Sequence, residues 1–360
     1  MTLRRAAIAT PALGFLLALA PATAEERTPP AASSEPARPA ATCTSGEGGC
    51  PGTGAAARVG GTVHVNSGPN DCGGEECFQI SVECPNLGQA EHAVLKIGAP
   101  SSRREYKGMV LFMTGLGGTG FWERFGSTAS RTLSKLRASG YRTVQLKWER
   151  GWLYAAPGRR EGQAALACRP ATVAHWLLER YDAGPNAAFC ASGSSAGASQ
   201  IAYMMGDYGL ADRLDAVVMT GGPPFARLDW GCLRGDPEHA AFSFSANQRR
   251  FIDGGFGYSR DVEGPCTRGD AAFVPEWQQA SHLTDGGTLV FPRTSVWVLI
   301  GDRDDVGARP QAEAYVAALR AAGSPDVHQE SIKRTPHDVP STSRGAKRVR
   351  KLLQQECRPR

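Results

Sequence analysis

Beyond its first two dozen residues the chain has no apolar run near the roughly 20 residues that a bilayer-spanning helix requires, which argues against a membrane span. It has no internal repeat, and its glycines and prolines follow no fixed period, so solenoid, coiled-coil and collagen-like architectures are excluded. Paired C-x2-C spacing is absent, and Cys72 and Cys77 do not supply it, so thiolate zinc sites have no sequence support. Asp71, Glu75 and Glu76 lack the spacing of a calcium loop and read as a solvated turn. Excess charge is small as well. The formal charge is +5 over 360 residues, too little to imply a nucleic-acid partner.

The chain does contain a strong start signal. Arg4 and Arg5 precede an apolar stretch through Phe15, Leu16, Leu17 and Leu19, and Ala22-Thr23-Ala24 offers small residues for cleavage. Residues 1–24 are therefore expected to be a secretory signal peptide, making the protein secreted or periplasmic. Loss of Arg4 and Arg5 would bring the charge to +3. Residues 25–60 are dominated by Pro, Ala, Ser, Thr and Gly, with few aliphatic residues to offset ordering entropy, and read as a disordered tether. Residues 61–360 are long enough for one large single-core domain. Ten cysteines in an exported chain favour disulfides, with Cys232 and Cys266 the first pair to join.

Residues 62–65, 77–84 and 93–97 alternate between turn signals and predict antiparallel strands. From Lys107 the rhythm changes. Strands at 109–113, 141–146, 187–190, 216–219, 295–300 and 327–332 alternate with helices at 130–138, 164–181, 196–205, 310–321 and 345–353. That alternation predicts an α/β fold with a mostly parallel central sheet flanked by helices.

Gly193-Ser194-Ser195-Ala196-Gly197 lies between the strand ending at Cys190 and the helix that follows. A G-x-S-x-G pentapeptide is common by chance, but at a strand-to-helix turn its glycines allow the reversal that raises Ser195 Oγ above the sheet. A serine hydroxyl needs a base held by a carboxylate, and both follow in the order Ser, Asp, His. Gly301-Asp302-Arg303-Asp304-Asp305 follows one strand and His337 the next. His282 precedes every candidate acid and would break that order. Thr114-Gly115-Leu116-Gly117-Gly118 follows the strand at 109–113.

From about Tyr106 onward the chain resembles the α/β-hydrolase superfamily. The resemblance implies an α/β-hydrolase fold with antiparallel N-terminal strands and a serine hydrolase needing no cofactor or metal. It implies Ser195 as nucleophile, His337 as general base and acid, and Asp304 as the orienting carboxylate, with Asp302 and Asp305 as rivals. It also implies Leu116 and Ala196 as oxyanion-hole donors, although Thr114 stands where the superfamily usually has His. Carboxylic esters, small or polymeric, are the expected substrates; peptidase, thioesterase and acyltransferase chemistry uses the same residues. Two other classes compete: a noncatalytic binding module on this fold, and a nicotinamide-dependent oxidoreductase, because residues 115–120 also fit G-x-G-x-x-G. The latter wants an acidic residue about 20 positions on, and the first candidate, Glu149, lies too far along.

Trp122, Trp148 and Trp152 fit pocket lining and packing equally well. Residues 222–292 read as a cap-like insertion before the acid-bearing strand. Nine aromatics fall between Phe225 and Trp277, double the chain's 8% density. The C-terminal 28 residues hold nine Lys or Arg against two acids, a basic helix face suited at most to weak contact with an acidic surface.

Overall fold

The computed structural model describes residues 58, 60–101, 105–181 and 187–359. The expected signal, nearly all of the tether, Cys43 and Cys50 lie outside the described residues.

The chain opens with β1 (Thr62–Asp71), β2 (Glu76–Glu83) and β3 (Glu91–Gly98), each antiparallel to the next. Then follow β4 (Gly108–Met113), α1 (Ser127–Arg137), β5 (Tyr141–Trp148), α2 (Gly162–Leu166), α3 (Cys168–Tyr181), β6 (Ala188–Ser194), α4 (Ala196–Gly206) and β7 (Ala216–Thr220). A segment rich in short helices comes next: α5 (Leu228–Cys232), α6 (Ala246–Gly255), α7 (Pro265–Arg268) and α8 (Val274–Gln279). The chain closes with β8 (Ser295–Gly301), α9 (Ala308–Ala321), β9 (Val327–Ile332) and α10 (Ser343–Glu356).

All nine strands form one sheet in the order β1-β2-β3-β5-β4-β6-β7-β8-β9, antiparallel through the β3–β5 pair and parallel from β5 to β9. β4 and β6 are buried throughout, because helices cover both faces of the sheet centre. Period-two alternation sorts their side chains. Val110 and Phe112 face a layer with Leu133 of α1 and Leu352 of α10, while Met109, Leu111 and Met113 join the larger core with α3, α4 and α9.

Four disulfides, Cys72–Cys77, Cys84–Cys168, Cys190–Cys357 and Cys232–Cys266, account for the described cysteines. Among the described residues no helix is long and apolar enough to cross a membrane.

One expectation gains detail and one needs correction. Most aromatics of residues 222–292 form core: Phe225, Phe244, Phe256, Phe273 and Trp277 are all buried in the larger cluster. Trp230, Phe242, Phe251 and Tyr258 are half-buried, and Trp230 packs against Arg227 and His239. The segment also holds a regular helix that its irregular pattern hid. Ser245 caps α6, and Gln248 returns a bond to the Ser245 backbone N–H, a reciprocal pair readable as S-x-x-Q. Trp122, Trp148 and Trp152 are likewise fully buried, which decides for packing.

Candidate functional site

Parallel strands deliver their following loops to one edge of the sheet, so the ends of β4, β6, β7, β8 and β9 bring their loops together there. Ser195 sits between β6 and α4 with φ 54° and ψ −123°. A left-handed φ on a residue with a Cβ costs roughly 1–3 kcal/mol, which the surroundings must hold. They do so by close approach. Any side chain at Gly193 would overlap the Gly197 backbone, and one at Gly197 would overlap Met113, so only glycine lets α4 press against β4 and β6. Ser195 N–H donates to Thr220 O at 2.7 Å.

The acid and the histidine meet directly. His337 Nδ1 lies 2.9 Å from Asp304 Oδ2, with the Asp304 side chain 0% and the His337 side chain 12% exposed. Burial pushes the Asp304 carboxyl upward, but the bond from His337, its charge, the Val306 N–H and Arg309 outweigh it and hold the carboxyl below its ordinary range. An ionised carboxylate only accepts, so Nδ1 carries the proton of this bond, and in the neutral imidazole Nε2 is then the acceptor.

The two rivals for that acid are placed elsewhere. Asp305 is exposed. Asp302 Oδ1 accepts the Thr335 backbone N–H at 3.0 Å, which fastens the β8 loop to the loop carrying His337. His282 is buried against the Tyr203 ring at 3.7 Å between centroids, and burial drives its pKa well below 6.5, so it stays neutral in the core.

Ser195 reaches the same corner through three glycines. A methyl carbon at Gly115 would lie 2.9 Å from Ser195 Cβ. One at Gly222 would lie 3.0 Å from Ser195 O, and one at the preceding Gly221 would lie 3.1 Å from His337 Nδ1. Leu116 follows Gly115 in a turn closed by Gly118 N–H to Gly115 O at 3.0 Å, with φ 53° and its side chain 45% exposed. Thr114 turns inward and donates its hydroxyl to Gly120 O at 2.8 Å, bracing this loop. Ala196 opens α4, where an N–H has no intrahelical acceptor.

The same loop does not continue as a dinucleotide site would. Gly120 leads into the 3-10 turn Trp122–Phe125, and α1 starts only at Ser127. Asp236, Glu238 and His239 converge on the surface to within 4.8 Å, but His239 Nδ1 already engages Asp236 and its ring stacks on Trp230. Asp71 and Glu75 are engaged too, with Gly74 N–H and with Arg137 and Lys96 respectively.

One residue that sequence reading missed braces the site from below. Arg169, fully buried in α3, donates through Nη1 to Trp152 O at 2.7 Å and Tyr154 O at 2.8 Å, and Trp152 N–H in turn donates to Gly117 O at 3.1 Å. Its signal, a charged residue in an otherwise apolar helix beginning, was present but named no partner.

This sheet order, with Ser195 at the strand-to-helix turn, defines the α/β-hydrolase fold. Among solved structures the chain is similar to a puromycin hydrolase, at 16% identity and TM-score 0.51, covering 78% of this chain and 39% of that one. It is also similar to Est1E from Butyrivibrio proteoclasticus, at 12% identity and TM-score 0.48, covering 77% and 96%. A serine hydrolase without a lid from Xanthomonas campestris matches at 14% and 0.43, covering 80% and 96%. No protein-family model matches the chain, and no curated protein matches it in sequence.

Proposed function

We propose that the protein is an exported serine hydrolase that cleaves carboxylic esters through an acyl-enzyme. The observation that carries this reading is the 2.9 Å contact of His337 with Asp304 on the sheet edge where Ser195 is held at left-handed φ in its strand-to-helix turn. Ser195 Oγ attacks the ester carbonyl while His337 Nε2 takes its proton. Asp304 keeps the imidazole in the required tautomer and stabilises the imidazolium. The N–H groups of Ala196 and Leu116 meet the developing oxyanion, each worth about 3–4 kcal/mol by precedent in serine proteases. His337 then returns the proton to the leaving alcohol, and water repeats the sequence to release the acid.

Disulfides in the described domain support an oxidising, extracytoplasmic destination. Peptidase, thioesterase and acyltransferase chemistry would use the same three residues. A fluorophosphonate probe should label Ser195 in the wild type, and Ser195→Ala should lose both labelling and turnover of a short-chain chromogenic ester. Labelling retained in Ser195→Ala would overturn the reading.

A further inference from the structure

The loop bearing Leu116 rests on Tyr154, and Tyr154 opens into a second space. A methyl carbon at Gly117 would lie 3.5 Å from Tyr154 Cε2, and one at Gly151 2.9 Å from the same atom. The same tyrosine lines a cavity of about 480 Å³ with Arg150, Pro157, Tyr258 and Arg260. That volume falls within the range of small-molecule sites. Residues 150–157 follow the end of β5, so the cavity lies at the sheet edge that holds Ser195.

Its charge is unbalanced. Glu91, 1% exposed, is already occupied: it accepts the backbone N–H groups of Arg150 and Gly151 and pairs with Arg150 Nη2 at 3.0 Å. Arg260 has no such counterpart. Among the described residues no carboxylate is ion-paired with it, and Asp261, next in the chain, is exposed. Instead Arg260 Nη2 donates to Tyr154 Oη at 2.7 Å, and the guanidinium lies 5.0 Å from the Phe251 ring centroid and 5.7 Å from that of Tyr154. Arg260 is exposed, and the Tyr154 bond with the two ring contacts holds its guanidinium at the cavity's rim with N–H groups left for an anion.

We propose that this cavity is a subsite for a carboxylate carried by the substrate at a distance from its scissile ester, and that Arg260 determines the preference. A carboxylate accepts two parallel bonds from a guanidinium, while Tyr154 and Tyr258 offer apolar faces to the chain or ring that joins acid to ester. The inference rests on the hydrolase reading of Ser195.

Kinetics on 4-nitrophenyl monoesters of dicarboxylic acids, from succinate to suberate, test it against neutral 4-nitrophenyl esters of equal length. The wild type should favour the acid-bearing ester at one or more lengths by about tenfold in kcat/KM, mainly through KM. Arg260→Gln should abolish that preference and leave neutral esters unchanged. Equal loss on both series, or no preference at any length, would overturn the subsite. Calorimetry with adipate reads it without turnover: binding weakened by Arg260→Gln supports the proposal, and absence of binding contradicts it. Adipate binding without Ser195-dependent hydrolysis of either series would sink the hydrolase reading alone.

Discussion

Gly301, the last residue of β8, touches the backbone of Thr335 so closely that a Cβ at position 301 would overlap the Thr335 carbonyl oxygen. Arg303 N–H donates to the same oxygen at 3.0 Å, so the acid-bearing and histidine-bearing loops lie against each other along their main chains. Gly301→Ala should cost roughly 1–3 kcal/mol by overpacking. It should also lower kcat on a short ester more than it raises KM, because the histidine is pushed from its acid. Urea denaturation and steady-state kinetics check both; an unchanged kcat would refute the coupling.

Asp304→Asn should lower kcat by about 10⁴-fold, the scale seen when a triad loses its orienting carboxylate. Asp305→Asn should be near neutral, as should Asp302→Asn, whose amide oxygen still accepts the Thr335 N–H, while Asp302→Ala should show a smaller loss because it unfastens Thr335. The depressed Asp304 pKa stabilises the fold above the ordinary carboxylate value of 3.8 and ceases to do so as pH falls through its lower folded value. Acid unfolding of Asp304→Asn should therefore lack part of the wild type's steepness below about pH 4. Equal kcat losses across the three variants would remove Asp304 from its proposed role.

Far from the site, Asp207 and Asp285 form a buried acidic pair. Burial raises both: Asp207 goes to about 8, pushed further by Asp285 and opposed by Arg58, and Asp285 goes to about 6 against the Gly287 N–H, Arg58 and its bond with Asp207. A raised folded pKa gives stability that is complete below the unfolded value and is lost as pH rises through the folded one. The pair should thus lower the melting temperature progressively between about pH 4 and pH 8, most steeply below pH 6 where both carboxyls contribute. Asp285→Asn should flatten that fall and gain roughly 1–3 kcal/mol at pH 8 relative to wild type. His282, buried and neutral, acts in the opposite sense below 6.5, so the difference between the two proteins is the quantity to read. Parallel melting curves across this range would contradict the assignment.

Phe256→Ala should cost about 3–5 kcal/mol as a cavity in a packed core, with the ester chain-length profile unchanged. Removing the Cys232–Cys266 disulfide, which closes a loop with a separation of 34 residues, should cost roughly 3–4 kcal/mol. A shifted chain-length preference in a Phe256→Ala protein of undiminished stability would restore the cap reading of these aromatics.

Strands with apolar runs between clear turn signals were legible. β9 matches its expected bounds, and β6 and β8 extend only a few residues beyond theirs. The chain order Ser195, Asp304, His337 could be proposed from sequence because the topology sets which loop follows which strand. The Gly301-x-x-Asp304 spacing alone favours Asp304 over Asp302 and Asp305, and the contact of its carboxylate with His337 Nδ1 could not be read from that pattern. α6 was hidden because Gly254, Gly255 and two adjacent arginines blur its apolar stripe, even though its S-x-x-Q cap was in view. Arg169 was visible only as a charge in an apolar helix start, and the partners of Arg169, Tyr154 and Arg260 could not be read because they lie 15 to 106 residues away.

The Cys190–Cys357 bond fixes where the chain leaves the domain. Cys190 lies five residues before Ser195 on an extended strand, roughly 16 Å back along it at the usual rise. Cys357 O also accepts the hydroxyl of Tyr141, the first residue of β5. Anything joined after Cys357 therefore departs from the rim of the sheet opposite the serine. A chain immobilised on a bead or fibre by that end would keep Ser195 turned outward, toward a substrate too large to diffuse.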